Sequence, residues 1–582
     1  MSTRLRVLCG ALCLVLLGSG HSVLTVFPMA VLFGSAIAPN KHPFETWPFG
    51  LILLQALSYL TYMCFWILGV QGISSRLSVV VLFVFSCVGI WIAGRGSSNR
   101  NVESRPRPGL TASVTTAFVL VLCTTVLVNP SWLVNVHLGG GDHSNHVGFA
   151  YSFISHVHRA PFPTPVTLTG YAHANHFLVA LLSSASINHH RGTVLGLIFR
   201  DYAFFDLLVV LAVLQIGSGT LGVGRRKGRT IELLPVLPSV LLVRTPNLIS
   251  HFWLSGFSTS LFALLVLCAA VWANLLVEKR RNQLALSMLT SAVLIGVYQP
   301  LAIVPVLAWA LSGQGTRKIH VSLRLLKTIL ALAFPAVCLI AIGFMTGKEG
   351  ALASTLMREG VSLSPSNFLF WATMCVSVTL AIFVERNSYG PLLHLATVSV
   401  TCGFWAVSLW LGAGGEVVYY VRKLIWTSNA IGVLVSGSAV VLAVMAANER
   451  GSLRVFRALP AISLVVSLFV LGSNPFPRFS FVKGDWFVSQ LMSDGISLTH
   501  KSVALNPQDR FTTHLANVAL TAVSDVAHEF DLALLGDASI SELCGLAEAA
   551  GVDQILTTKT AVPDLVSGGC KSPEFVAPTK SP

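Results

Sequence analysis

Leu110-Thr-Ala-Ser-Val-Thr-Thr-Ala-Phe-Val-Leu-Val-Leu-Cys-Thr-Thr-Val-Leu-Val-Asn-Pro130 runs without a single charge, and the chain then reads Gly139-Gly140-Gly141-Asp142-His143-Ser144-Asn145-His146. A helix needs about 20 mostly apolar residues to cross a bilayer. The first stretch therefore reads as a spanning helix that delivers the chain into a polar, histidine-rich segment. Working outward, comparable runs fall near 7–20, 22–38, 48–70, 77–94, 202–222, 231–245, 257–277, 284–297, 298–313, 326–346, 367–384, 391–412, 424–447 and 459–474. The runs 7–20 and 22–38 can also be read as one long helix. Arg4 and Arg6 before an apolar run resemble a signal peptide, but no small-residue cleavage site closes the run.

Composition agrees with the pattern. Of 582 residues, 54% are hydrophobic and only 11% charged, against about 25% charged in ordinary soluble domains. A soluble chain of this length would divide into several domains with polar skins, and this one lacks the charge to make them. The expected fold is an all-α polytopic membrane bundle of about 13–15 transmembrane helices. Three regions follow: N-terminal helices over 1–109, a helical core over 110–474 with a long loop 131–201, and a tail over 475–582. The net charge of +14 does not point to nucleic acid, because the basic residues sit in short runs between apolar stretches.

Those runs orient the chain. Arg95, Arg100, Arg105 and Arg107 form one basic loop, Arg225, Arg226, Lys227 and Arg229 another, and Lys279, Arg280 and Arg281 a third. Arg317, Lys318, Arg324 and Lys327 follow, then Arg386, then Arg450, Arg454 and Arg457. The positive-inside rule places all six in the cytoplasm. That assignment holds if 131–201 remains outside as one loop, and it puts 475–582 outside as well.

The tail reads as a small extracytoplasmic α/β unit. Asp531–Leu535 and Gln554–Thr558 look like strands and Ile540–Ala550 like an amphipathic helix, while the last dozen residues look disordered. Nine of the eleven cysteines lie in apolar runs. Cys544 and Cys570 alone fall in the tail, where an oxidising compartment would let them pair. No Asn-x-Ser/Thr acceptor with x other than Pro occurs, which favours a bacterial envelope.

Asp142 is the only carboxylate between Glu103 and Asp201, and nine of the seventeen histidines (His137, His143, His146, His156, His158, His173, His176, His189, His190) crowd into the same loop. Glycines before the Asp permit close approach to a ligand. If a helix begins after Gly141, Asp142 and His146 share one face at i and i+4. Two plainer readings stand beside this one: Asp142 as a helix N-cap, and the histidines as amphipathic decoration of the headgroup zone. Asp142 and His146 are also a donor pair that Mg²⁺ or Mn²⁺ would accept, although the pairs His143/His146 and His173/His176 lack the flanking Glu of a zinc protease.

The order of these features resembles the GT-C superfamily of membrane glycosyltransferases that use polyprenyl-phosphate sugars. In that family a helix delivers the chain to a long outer loop opening with an acidic residue, here Asp142. A short amphipathic helix follows (Val147–His158), then a Gly/Pro passage (Ala160–Pro165 and Gly170–His176), then a half-embedded helix (Phe177–Ile187). The resemblance covers 110–474 loosely. Many members carry a second acidic residue where this chain has His143, and 7–94 lies outside the resemblance.

What the resemblance implies is an inverting hexosyl- or pentosyltransferase of the plasma membrane, acting on a glycan, glycolipid or protein acceptor at the outer face. Asp142 would be the general base, His143, His146, His173 and His176 would contact substrate or metal, and the tail would position the acceptor. One carboxylate suffices, because the phosphate leaves as an anion and needs no acid, whereas ordinary glycoside hydrolysis uses a pair. The phosphate calls for outer-face cations. Arg200, Arg244, Lys348, Arg422 and Lys423 are placed there; Arg244 and Arg422 are the chosen clamp, and Lys348 and Lys423 read as snorkelling anchors. A lipid-linked saccharide transporter or flippase is the alternative, but acids other than Asp206 are nearly absent from the spans. A polysaccharide polymerase is the other, with its large polar loop expected later in the chain.

Overall fold

The computed structural model describes residues 3–37, 41–70, 72–95, 110–128, 141–154, 174–189, 194–219, 237–245, 248–249, 258–276, 280–298, 301–312, 367–383, 386–412, 419–449, 501–507, 513, 516–517, 538–571 and 574–577. It is predominantly helical. The helices are α1 (Thr3–Gly18), α2 (Val26–Ile37), α3 (Pro43–Ile67), α4 (Ser75–Arg95), α5 (Leu110–Val128), α6 (Gly141–Ile154), α7 (Ala174–Ser186) and α8 (Val194–Gly219). They continue as α9 (Leu237–Arg244), α10 (Ser258–Leu276), α11 (Arg280–Val297), α12 (Val304–Ser312), α13 (Asn367–Phe383), α14 (Arg386–Gly412) and α15 (Tyr419–Glu449).

Among the described residues, five helices are long and apolar enough to cross a membrane: Pro43–Ile67, Ser75–Arg95, Thr111–Val128, Leu392–Leu411 and Val421–Leu442. Shorter apolar helices cover Ser22–Ile37, Ser258–Val271, Leu286–Val297 and Phe368–Ile382. The expected spans 326–346 and 459–474 lie outside the described residues, as do the basic loops at 225–229 and 317–327. Of the expected span 231–245, the described residues form a helix over Leu237–Arg244, and 231–236 lie outside them.

Helix α5 shows how an all-apolar sequence still has two faces. Ala112, Thr115, Val119, Leu122 and Val126 recur at three- and four-residue spacing and are buried, whereas Val114, Phe118, Val121 and Val128 are exposed, the last at 78%. One stripe packs on the bundle and the other is left for lipid. Helix α15, by contrast, is buried nearly all round from Val421 to Val441.

The run 7–38 is two helices. After Gly18 the chain turns through Gly20, whose φ of +74° suits glycine alone, and re-enters through a short 3-10 turn, Ser22–Thr25. Helix α3 opens on His42, which accepts from the Phe44 N–H at 3.3 Å, with Pro43 at its first position, where its missing donor costs nothing. Helices α2 and α3 then pack backbone to backbone. A Cβ on Gly50 would stand 1.7 Å from the Ala30 carbonyl oxygen, and one on Gly34 would stand 2.1 Å from that of Thr46. Close approach at small residues is how helices associate in lipid, where no hydrophobic force drives them together. Gly50→Ala should therefore destabilise by about 3 kcal/mol or more, because backbone cannot yield as a side chain does. Gly18→Ala, with nothing within 4 Å, is the neutral control. The fraction of monodisperse protein after detergent extraction reads both; equal yields would mean that the hairpin is not built this tightly.

The bundle has two chemically distinct ends. At one, Gln215 of α8 accepts from Trp47 Nε1 (2.7 Å) and Thr115 Oγ1 (2.5 Å) and donates to the Phe44 carbonyl (2.8 Å), so the starts of α3 and α5 meet the end of α8. Helix α4 ends at Arg95, whose guanidinium lies 3.9 Å over the Trp91 ring, and Arg6 abuts Gly94. At the other end, about 20 Å away along α8 at 1.5 Å per residue, the Ile73 N–H donates to the Phe153 carbonyl (2.7 Å) and Ser184 Oγ to the Ile73 carbonyl (2.8 Å). The N-terminal helices thus pack directly on α6 and α7, the segment that carries the histidines.

The tail contains three parallel strands, β1 (Ser502–Ala504), β2 (Gln554–Leu556) and β3 (Glu574–Val576), in that spatial order, with α16 (Ile540–Ala549) and α17 (Val562–Ser567) between them in sequence. Alternation sorts the side chains: Val503, Ile555 and Phe575 join Leu543, Ala547 and Leu565 beneath the helices, whereas Ala504, Leu556 and Val576 join the main apolar core. Ser539 caps α16 in a reciprocal box with Glu542. The Ser539 N–H and hydroxyl hold that carboxyl below the usual glutamate range, so the cap is fully made above that range and fades as pH falls through the depressed value. Cys544 and Cys570 are bonded, with Cα atoms 4.9 Å apart. The expectation of disorder over the last dozen residues is corrected at Glu574–Val576, which pairs with β2 as β3, while 572–573 and 578–582 lie outside the described residues. The strand expected at Asp531–Leu535 lies outside the described residues.

Candidate functional site

Helix α6 begins at Gly141, so Asp142 occupies its second position rather than the N-cap, and the capping reading is corrected accordingly. Asp142 and His146 are then one turn apart on the same face. The backbone of Asp142 and His143 is helical, and their side chains lie outside the described set, as does His173. Helix α6 also starts six residues before the expected Val147, which brings the acidic residue onto the helix itself.

His146 and His176 are brought together. His146 Nδ1 lies 2.6 Å from His176 Nε2, their rings stack with centroids 4.8 Å apart, and both residues are fully buried. One ring must donate and the other accept, so the pair shares a proton across 30 residues of sequence. Phe149 packs against His176 at 5.2 Å, and the Tyr202 hydroxyl donates to the His146 carbonyl at 3.2 Å, fastening α6 to α8. Helix α7, expected to be half-embedded from Phe177, starts at Ala174, and all 13 of its residues are buried.

A coupling of about 1 kcal/mol is expected between His146→Phe and His176→Phe in a double-mutant cycle of thermal stability. Additive losses would mean that the rings are neighbours without a shared proton.

Three further polar features lie buried at this end; of them the sequence reading had named only Arg200, as an outer-face cation, and Asp206, as the exceptional acid of the spans. Asn175, beside His176, is fully buried, and neither amide atom has a hydrogen-bond partner among the described residues. Asp206 is buried at 2% exposure and accepts from Ser258 Oγ. Arg200 and Asp201 form a buried ion pair: Arg200 Nε donates to Asp201 Oδ1 at 2.8 Å, Nη2 lies 2.7 Å from the same oxygen, and Ser183 Oγ of α7 donates to Oδ2 at 2.9 Å. The adjacent charges were visible in sequence; their burial was not.

The two chosen phosphate cations are less close. Arg244 is exposed at the end of α9, and Arg422 is half-buried in the first turn of α15. The helices touch where Gly437 meets Pro238 and Leu241. From that contact Arg244 is about 9 Å along its helix and Arg422 about 22 Å along the other, so they are offset by at least about 13 Å axially. Lys423, expected to be a snorkelling anchor, is instead buried at 2% exposure, which corrects that reading. Lys348 lies outside the described residues. Among the described residues no three His, Cys, Asp or Glu side chains group closely enough to hold a metal. Asp142 and His146, the expected Mg²⁺ or Mn²⁺ ligands, stand at metal-compatible helical spacing only.

Comparison with protein-family models, curated proteins and solved structures finds no match to this chain.

Proposed function

We propose that the chain is an inverting, plasma-membrane glycosyltransferase of the GT-C kind, moving a sugar from a polyprenyl-phosphate donor to an envelope glycan, glycolipid or protein at the outer face. The observation that carries this reading is the junction of α6 and α7. It joins the Asp142–His146 turn to the Gly170–His176 passage, through the His146–His176 contact, at the end of the bundle opposite Arg6 and Arg95. The positive-inside rule makes the arginine end cytoplasmic and leaves Asp142 at the donor's headgroup level outside.

Asp142 takes the acceptor hydroxyl's proton as that oxygen attacks the anomeric carbon, and the lipid phosphate departs with the bonding electrons. His143 and His173 face the acceptor or metal, backed by the buried His146–His176 pair, and an outer-face cation serves the phosphate; Arg244 and Arg422, expected for that role, stand too far apart along their helices to clamp it together. The tail, an extracytoplasmic α/β unit tied by Cys544–Cys570, presents the acceptor. The test is transfer by purified protein from a panel of defined polyprenyl-phosphate sugars. Transfer from one of them is expected; translocation of lipid-linked saccharide without any transfer would favour the flippase reading.

A further inference from the structure

The Arg200–Asp201 pair is built like a mount for a guanidinium rather than like a simple cross-brace. Asp201 is fully buried and is itself held by Ser183. It engages the Nε and Nη2 side of Arg200 through one oxygen, and Nη2 lies too far off line there to make a hydrogen bond. A guanidinium held on one edge by a buried carboxylate has its orientation fixed, so its remaining donors are pre-aimed.

Two histidines share this corner. The turn before α2 packs on the end of α7: the Ser22 N–H donates to Ser186 Oγ at 3.3 Å, and Ser22 Oγ meets the Leu182 carbonyl. A Cβ on Gly20 would stand 2.2 Å from the His189 Cβ, so the turn that carries His21 packs against His189 of the 3-10 turn Ile187–His189. His21 is half-buried and His189 exposed, and the His21 Nδ1 atom is buried with no hydrogen-bond partner among the described residues. Burial, the Arg200 charge and then His189 hold the His21 pKa below the usual imidazole value. Arg76 is exposed on the same rim, next to Ser75, whose hydroxyl accepts from Asn188 Nδ2 at 3.2 Å.

We infer that Arg200, His21 and His189 form a binding site for the phosphate of a membrane lipid, at the rim where the turn before α2, the end of α7 and the start of α8 meet. Donors dominate this corner, and Asp201 is already spent on Arg200. An anion supplies the missing acceptors, and a lipid-borne one reaches a site at the ends of spanning helices. The glycosyltransferase reading makes that lipid the polyprenyl-phosphate carrier; a bulk anionic phospholipid offers the same chemistry.

The test uses full-length protein in phosphatidylcholine nanodiscs, with equilibrium binding of polyprenyl monophosphate and competition by phosphatidylglycerol and by the uncharged prenol. Arg200→Gln/Asp201→Asn removes both charges together, so neither is left buried and alone. His189→Gln alters an exposed residue and leaves the fold intact. Charge-assisted hydrogen bonds predict binding weakened about tenfold or more in the double variant and about threefold in His189→Gln, with prenol not competing. Stronger competition by phosphatidylglycerol than by the carrier would keep the site and assign it to bulk lipid. Wild-type protein that binds neither lipid, or a folded double variant that binds as wild type does, overturns the inference. Binding that depends on Arg200 in a protein that transfers no sugar leaves the site standing and removes the glycosyltransferase. Sugar transfer with donor KM unchanged in the double variant does the reverse.

Discussion

Replacing Arg200 with Met should cost about 3–5 kcal/mol of stability, because it leaves the Asp201 carboxylate buried without its counter-charge. Asp201 has no exposed surface, and only the Ser183 hydroxyl would remain to solvate it. Such a loss is a large part of the net stability of most folded proteins, so Arg200→Met should extract poorly and unfold many degrees lower. Arg200→Gln/Asp201→Asn should recover most of the loss, since a neutral pair carries no charge penalty. Thermal unfolding of the three purified proteins measures this. If Arg200→Met and the double variant are equally damaged, packing rather than charge compensation holds this corner together.

Asp142→Asn should lower the transfer rate by about 10²–10⁴-fold, the range a positioned general base contributes, with the donor KM nearly unchanged. The substitution keeps the side chain's shape and removes only its ability to take a proton. Because Asp142 lies within α6 rather than at its cap and Asn is close to Asp in helix propensity, thermal stability should stay close to wild type. A stable variant with undiminished kcat would remove Asp142 as the base. An unstable one with lost activity would show Asp142 to be structural.

The apolar runs made most of the helices legible, because twenty uncharged residues admit few other fates. What they could not show was local. The break at Ser19–His21 depends on Gly20 taking φ of +74° against His189, a contact made 169 residues away. Strands β1 and β3 span three residues each, too short for alternation to register, and β3 was hidden by the Pro- and Lys-rich composition around it. Gln554–Leu556 was visible because its apolar run follows the turn at Gly551. At the candidate site the histidine cluster was plain in sequence, but nothing there said which two would meet. That follows from the packing of α6 on α7. Arg200 was read as one of the outer-face cations and Asp201 was given no role, since burial is a property of neighbours rather than of residue type. Lys423 failed the same way: its long side chain reads as a surface anchor until α15 is seen to lie buried.

The most direct measurement is sugar transfer in sealed, right-side-out vesicles that contain the wild-type protein, a radiolabelled polyprenyl-phosphate sugar and an acceptor that cannot cross the bilayer. The account predicts label on the acceptor when it is outside and none when it is enclosed. Label appearing only on enclosed acceptor, or on neither while lipid-linked saccharide changes leaflet, would contradict it.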